Sequence, residues 1–293
     1  MSELLCRTPA TLEELVQCLG ACGPDSFLLG GGTDLVIRLR ERGIRRGTLI
    51  DLGGVAGLDT LEGEGDWIAI GANVTYAELA ASPLILGSVP CLAQMASQVG
   101  SAQIRNMARL PGNIANASPA GDAIATLMAL AAQVRTIDSR GQLRDRSIAQ
   151  VVTGIGRTTL ERDEAIIQVR VPRPGPDQRS AYGKLGLGAR RQVVIANVSL
   201  TMVVEWAADQ GRIGSARVVL GSAAPLAYHA EAAEALLAGR RPDPQLGLDL
   251  AEALRRHVEV SIKGNPLFKH KLSDVQGLAL DLFTHLFHTE LGA

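Results

Sequence analysis

The apolar positions of the chain switch between a helical and a strand period, and the switches mark out its elements. Thr11-Leu12-Glu13-Glu14 sets a hydroxyl residue three positions before a glutamate, a capping box that opens an amphipathic helix ending near Gly20 or Gly23. Phe27-Leu28-Leu29 is short and wholly apolar, like a buried strand, and runs into Gly30-Gly31-Gly32-Thr33-Asp34-Leu35. A helix over Asp34 to Arg42 and a strand over Thr48 to Leu52 follow, so this opening segment predicts one small βαβ unit. Next come a strand at Trp67 to Gly71, a second capping box at Thr75-Tyr76-Ala77-Glu78, and a helix from about Ile85 to Val99. Between Gln103 and Asp122 both periods vanish and Asn, Gly, Pro and Ser fill the sequence, which predicts a long loop of the functional kind.

A helix from Ala123, a hairpin around Ser139-Arg140-Gly141 and a strand from Glu164 to Val171 precede the prolines Pro172, Pro174 and Pro176, which read as a linker. Beyond it, strands at Val193 to Glu205 and Arg217 to Gly221 flank the turn Ala208-Asp209-Gln210-Gly211. Helices at about His229 to Leu237, Leu246 to Val260 and Leu267 to Phe287 complete the pattern. Strands followed by helices predict a meander packed under helices, and the fold class is α+β.

Composition narrows the function. The 293 residues include two tryptophans, three tyrosines and four phenylalanines, and the net charge is −1. So few rings and so little positive charge argue against binding of nucleic acid. The 32 glycines exceed the roughly 20 that average usage of ~7% would give. The N-terminus lacks the charged-then-apolar run of a signal peptide. The apolar stretches Ala123 to Val134 and Val193 to Val204 fall short of the ~18 residues of a membrane span. A soluble, cytoplasmic protein is expected. Cys6, Cys18, Cys22 and Cys91 form no Cys-x-x-Cys pair, so neither zinc nor an iron–sulfur cluster is expected.

Two segments carry candidate chemistry. Glycines between a strand and a helix let backbone approach an anion and supply N–H donors, so Gly30 to Asp34 can cradle a phosphate. The segment is neither a P-loop nor a clean Gly-x-Gly-x-x-Gly fingerprint, and a tight turn without a ligand stays open beside the cradle. The second segment, Gln103 to Asp122, concentrates Arg105, Arg109, three asparagines, Ser118 and Asp122, a dense set of donors and acceptors. An asparagine-rich loop that satisfies its own backbone is its alternative. Arg38, Arg40, Arg42, Arg45 and Arg46 read as a solvated face, His285 and His288 lack a partner set for metal, and no nucleophile elbow is present.

Gly31-Gly32-Thr33-Asp34, Gln103-Ile104-Arg105-Asn106, the run from Gly112 to Asp122, Ile195-Ala196-Asn197-Val198 and the passage Leu220 to Leu226 resemble the FAD-binding medium subunit of the molybdenum hydroxylases. That family includes bacterial xanthine dehydrogenase, aldehyde oxidoreductase, nicotinate dehydrogenase and carbon monoxide dehydrogenase. The resemblance runs in order from about residue 5 to 290. It implies a two-lobed FAD-binding domain of the PCMH type, vanillyl-alcohol-oxidase-like, over 1–174 with lobes of about 1–55 and 56–174. A C-terminal antiparallel sheet with helices over 177–293 follows.

The resemblance also implies a site. Leu29, Gly30, Gly31, Gly32, Thr33, Asp34 and Leu35 would form one wall around the FAD pyrophosphate; Arg109, Leu110, Gly112 and Asn113 would form the other, with Ser118 in the same loop. Asp122 would hold polar groups of the ribityl or adenosine portion, Ile166 would lie against the flavin, and Lys184 would place positive charge near the flavin or its phosphates. Taken alone, Lys184 reads equally as a solvated surface lysine.

The implied activity is electron transfer within a heterotrimer. A molybdopterin large subunit and a [2Fe-2S] small subunit would deliver electrons to FAD, and NAD or another acceptor would receive them. With no cysteine after Cys91, the chain has no place for the extra cluster of some relatives, and no acid–base pair is needed. A stand-alone FAD oxidoreductase, or an assembly factor that has lost FAD, are the other readings.

Two departures from the family pattern bear on this. Where the family has a hydroxyl residue, an apolar residue and Gly-Gly-Asn, this chain has Arg109-Leu110-Pro111-Gly112-Asn113. Pro111 removes one N–H donor and is expected to push Leu110 into an extended conformation; Arg109 is expected to compensate with a charge-assisted bond. The interval from Lys184 to Arg190-Arg191 is slightly long, which leaves the role of those arginines open.

Overall fold

The computed structural model describes residues 4–186, 196–208, 211–262 and 269–291. Its first elements are β1 (Leu4–Arg7), α1 (Leu12–Gly20), β2 (Ser26–Leu29), α2 (Leu35–Glu41) and β3 (Gly47–Asp51). The first capping box forms: Thr11 Oγ1 accepts from the Glu14 N–H at 3.2 Å, while Glu14 Oε2 reaches back to the Ala10 N–H at 2.7 Å. The three strands make a parallel sheet in the order β1-β3-β2. The unit is thus one strand larger than the predicted βαβ, because β1 is four residues long and mostly exposed, too short to show a period. Phe27 to Leu29 form β2 as predicted but are half-buried rather than buried.

Next come β4 (Leu61–Glu64), β5 (Trp67–Gly71), α3 (Tyr76–Ala81), α4 (Pro83–Ser88), α5 (Pro90–Gln98), α6 (Ala102–Arg105), α7 (Leu110–Asn116) and α8 (Asp122–Ala129). The single helix expected over Ile85 to Val99 is two, because Pro90 can open a helix but cannot continue one. The segment expected as a long loop holds α6 and α7, which are too short and too polar for periodicity to show. The remainder is β6 (Gln133–Asp138), β7 (Leu143–Ser147), α9 (Ile148–Val151), β8 (Val152–Gly154), β9 (Arg157–Thr158), β10 (Glu164–Pro172), β11 (Gln178–Gly186), β12 (Ala196–Trp206), β13 (Ile213–Gly221), β14 (Tyr228–His229), α10 (Glu231–Leu237), α11 (Pro244–Ser261) and α12 (His270–Phe287). The sequence pattern does not show β11, whose polar and glycine positions break the alternation. It also starts β13 four residues late, while Val193 to Ile195, Asp209, Gln210 and Leu267 lie outside the described residues.

The chain forms two compact units. The first comprises Met1–Leu79, Ser101–Ser118 and Ala131–Arg173, and the second Ala80–Gly100, Pro119–Leu130 and Pro174–Ala293. In the first unit, β4-β5-β10-β6-β7 form an antiparallel sheet whose α1-facing core gathers Leu15, Leu19, Ala165 and Ile167. In the second, β11-β12-β13-β14 form the expected antiparallel meander under helices, with Leu200, Met202 and Val218 packed against Leu250, Leu254, Phe283 and Phe287.

Two carboxylates, Glu164 buried and Asp145 exposed, tie the first unit's stability to pH. Burial works to raise the Glu164 pKa, but hydrogen bonds from Thr136, the Glu161 N–H and Arg146 overcome it and hold the carboxyl below its usual range. The Arg135 hydrogen bonds do the same for Asp145. Carboxyls with depressed folded-state values stabilise the fold above their ordinary pKa, and that stability is lost as pH falls through the depressed value. Glu164→Gln is therefore expected to lower stability by about 2 kcal/mol at pH 7, with a deficit that shrinks as pH falls through the depressed value, as read by denaturant unfolding across a series of acid pH values.

Candidate functional site

In the first unit, the glycine loop leaves β2 and meets the second segment backbone to backbone. A Cβ on Gly31 would lie 1.8 Å from the Met107 carbonyl oxygen and 2.5 Å from its carbon. Gly32 adopts φ +73°, the left-handed region open to glycine. The segment it meets is pinned by the second capping box. The Thr75 N–H donates to Glu78 Oε2 at 2.8 Å, the Glu78 N–H to Thr75 Oγ1 at 3.2 Å, and the neighbouring Tyr76 N–H to the Ala108 carbonyl at 3.1 Å. A second tie joins the segments, since the Arg38 guanidinium donates to Asn116 Oδ1. Arg38 and the rest of the basic run, Arg40, Arg42, Arg45 and Arg46, are all exposed, as a solvated face requires.

Arg109 stands where the two segments meet. It is extended at φ −136° and ψ 154°, immediately before α7, and its Nη1 donates to Asn73 Oδ1 at 2.6 Å. Asn73 is held in turn by its Nδ2 donating to the Leu52 carbonyl at 2.7 Å. Burial pulls the Arg109 pKa down against the charges of Asp51 and Glu78. Arg109 Nε and Asn113 Oδ1 are shut off from solvent and have no hydrogen-bond partner among the described residues.

The expectation for Pro111 is corrected. Leu110 is the first residue of α7 rather than extended, and Arg109 takes the extended conformation instead. Pro111 occupies the second helical position, where an N–H has no helical acceptor, so the helix loses no hydrogen bond. Of the other predicted residues, Leu29, Thr33, Leu35 and Ser118 are half-buried, Asp34 and Gly112 are exposed, and Ile166 is buried on β10 opposite Thr136.

In the second unit, Lys184 and Asp122 form an ion pair. Lys184 Nζ lies 2.7 Å from Asp122 Oδ2, and the side chains are only 5% and 8% exposed. The reading of Lys184 as a solvated lysine is overturned. The Tyr182 hydroxyl donates to Asp122 Oδ1 at 2.9 Å, a contact not anticipated from the sequence. Its signal depends on β11, because residues two apart on a strand share a face. Burial pushes the Asp122 carboxyl up, opposed by the charge and hydrogen bond of Lys184 and by the Tyr182 hydroxyl. Arg190 and Arg191 lie outside the described residues.

The first unit holds a parallel sheet with a glycine turn and an antiparallel sheet, and the second holds an antiparallel meander with helices. Residues 2–174 match the family described as the FAD binding domain in molybdopterin dehydrogenase, and residues 185–278 match the CO dehydrogenase flavoprotein C-terminal domain. The chain belongs to this family of FAD-binding subunits of molybdenum hydroxylases, and its cofactor is FAD. The nicotinate dehydrogenase FAD-subunit of Eubacterium barkeri is 31% identical, over 95% of this chain and 94% of that one. The carbon monoxide dehydrogenase medium chain of Hydrogenophaga pseudoflava is 28% identical, over 80% of this chain and 79% of that one. A solved structure of carbon monoxide dehydrogenase from the same organism superposes with a TM-score of 0.83 at 26% identity, covering 98% of this chain and 96% of that one. The chain is accordingly an oxidoreductase component. Among the described residues, no helix is long and apolar enough to cross a membrane.

The residues fit the cofactor. Beside the close approach of Gly31 to the Met107 backbone, a buried guanidinium N–H and a buried amide oxygen have no partner among the described residues.

Proposed function

We propose that this chain is the flavin-bearing link of a cytoplasmic heterotrimer, with a [2Fe-2S] small subunit and a molybdopterin large subunit as its partners. Bound FAD supplies electron exchange between an iron–sulfur donor and NAD or another acceptor. The contact of Gly31 with Met107 carries the reading, because it joins the two segments that the family resemblance assigns to one pyrophosphate.

In this reading the backbone of Leu29 to Leu35 and of Leu110, Gly112 and Asn113 lines the phosphates. Arg109 adds a charge-assisted donor in place of the N–H that Pro111 lacks. Ser118, Asp122, Ile166 and Lys184 are assigned to the cofactor on the family resemblance. The Asp122 carboxylate neutralises much of the Lys184 charge, so Lys184 offers its remaining N–H donors more than a net positive field. An FAD-binding domain over 1–174, with lobes of about 1–55 and 56–174, and a C-terminal domain over 177–293 belong to the same reading.

The purified chain is expected to show a flavin spectrum at about one FAD per chain, and Arg109→Ala is expected to weaken FAD binding about tenfold or more. Co-purification with an iron–sulfur subunit, and bleaching of the flavin by NADH without oxygen, test the electron path. A chain that stays colourless in excess FAD overturns the reading. Reduction by an organic substrate of the isolated chain would point instead to a stand-alone oxidoreductase.

A further inference from the structure

The half-buried Arg109 is anchored by a neutral group. Its side chain runs past the glycine loop, where a Cβ on Gly30 would lie 4.0 Å from Arg109 Cδ, and its Nη1 donates to Asn73 Oδ1 at 2.6 Å. Asp51 and Glu78 act on the guanidinium through their charges and are engaged elsewhere. Asp51 Oδ1 accepts from the Gly53 N–H at 2.8 Å, and Glu78 Oε2 accepts from the N–H and the hydroxyl of Thr75 at 2.8 and 2.7 Å. Arg109 Nη2 has no hydrogen-bond partner among the described residues and, unlike Nε, is not shut off from solvent.

Asn73 has little freedom of its own. It is buried, and its Nδ2 donates to the Leu52 carbonyl at 2.7 Å and to the Gly53 carbonyl at 3.4 Å, while its N–H donates to the Leu58 carbonyl at 2.6 Å. Those bonds fix which way the amide points. Turned over, it would set an acceptor against two carbonyls and a donor against the guanidinium. Two residues on, Thr75 pairs with Arg109 as an antiparallel bridge, so the segment from Asn73 to Thr75 grips Arg109 by backbone and side chain. A carboxylate in the place of Asn73 would neutralise the cation it holds, as Asp122 does for Lys184. An amide fixes the same geometry and leaves the charge whole.

We infer that Asn73 is a positioning residue for the cofactor: it aims the Arg109 guanidinium at the FAD pyrophosphate and keeps its positive charge available to the phosphates. A donor group held in place before the ligand arrives spares the ordering cost of binding. The inference rests on the flavin reading and adds to it the group that holds Arg109.

FAD titration of the full chain stripped of flavin, with thermal melts of the same samples, tests it. Asn73→Ala is expected to weaken FAD binding about tenfold in the wild-type background and by less than about twofold in Arg109→Ala, because the amide acts through the guanidinium. A merely structural Asn73 would cost the same factor in both backgrounds. Asn73→Asp is the second variant, since it keeps the size of the side chain and the acceptor oxygen. It is expected to hold Arg109 in place but neutralise it, weakening FAD about tenfold and removing the fall in affinity that the wild type shows between low and high salt. Equal losses in the two backgrounds, an unchanged affinity in Asn73→Ala, or wild-type affinity and salt dependence in Asn73→Asp would each overturn the inference while the flavin reading stands. A wild-type chain that takes up no FAD overturns both.

Discussion

Gly31→Ala is expected to leave the protein with less than a tenth of its FAD and to lower its stability by roughly 3 kcal/mol. The added methyl would sit 1.8 Å from the Met107 carbonyl oxygen, and backbone rather than a flexible side chain is in its way. Relief requires the loop to part from the Met107–Ala108 segment. That segment is fixed by the Thr75–Glu78 capping box and by the hydrogen bond from the Tyr76 N–H to Ala108. Parting the two also displaces Arg109 from its place beside Gly30. Gly30→Ala is the control, since its methyl would come no nearer than 4.0 Å to Arg109 Cδ; it is expected to retain most FAD and a near wild-type melt. Flavin-to-protein absorbance after gel filtration, with thermal melts of both variants, checks this. Full flavin content and an unchanged melt in Gly31→Ala would show that the two segments do not meet as described.

Lys184→Met is expected to cost about 4 kcal/mol at pH 7, because it leaves the Asp122 carboxylate buried without its cation. Burial already pushes the Asp122 pKa up in the wild type, and loss of the lysine removes the largest opposing influence. A carboxyl whose folded-state pKa is raised stabilises the fold at pH values below its ordinary pKa, and this contribution is lost as pH rises through the raised value. The Lys184→Met deficit is therefore greatest at pH 7 and shrinks toward pH 4, as the Glu164→Gln deficit does, although the wild-type contributions of Asp122 and Glu164 vary with pH in opposite directions. Adding Asp122→Asn is expected to recover most of the loss, because the amide can keep the Tyr182 hydrogen bond without carrying a charge. Denaturant unfolding of the wild type, both single variants and the double variant at the two pH values measures the coupling. A Lys184→Met protein as stable as the wild type at pH 7 would mean that the pair is not closed in solution.

The sequence by itself determined what is decided within a turn or two of chain. The capping boxes at Thr11 and Thr75 and the β6–β7 hairpin around Gly141 lie where the local pattern places them, because their hydrogen bonds span a few residues. The glycine loop, the Gly112 to Asp122 run and their likeness to a flavoprotein family are also legible in the order of residues alone. What the tertiary structure decided are relations between distant positions. Lys184 and Asp122 are 62 residues apart, and nothing near either one says that they neutralise each other out of water. Pro111 reads as damaging because the residues around it give no helical period; the fold makes it the second residue of a short helix, where a missing N–H has no helical partner to lose. A bulge at Ile167 of β10 changes no composition and no period of a short strand, yet it turns Gln168 onto the opposite face. The closeness of Gly31 to Met107 depends on two segments being packed together, and a string of residue types carries no distances. Local hydrogen bonding is encoded by neighbours, whereas burial, charge pairing and backbone contact exist only after the chain has packed against itself.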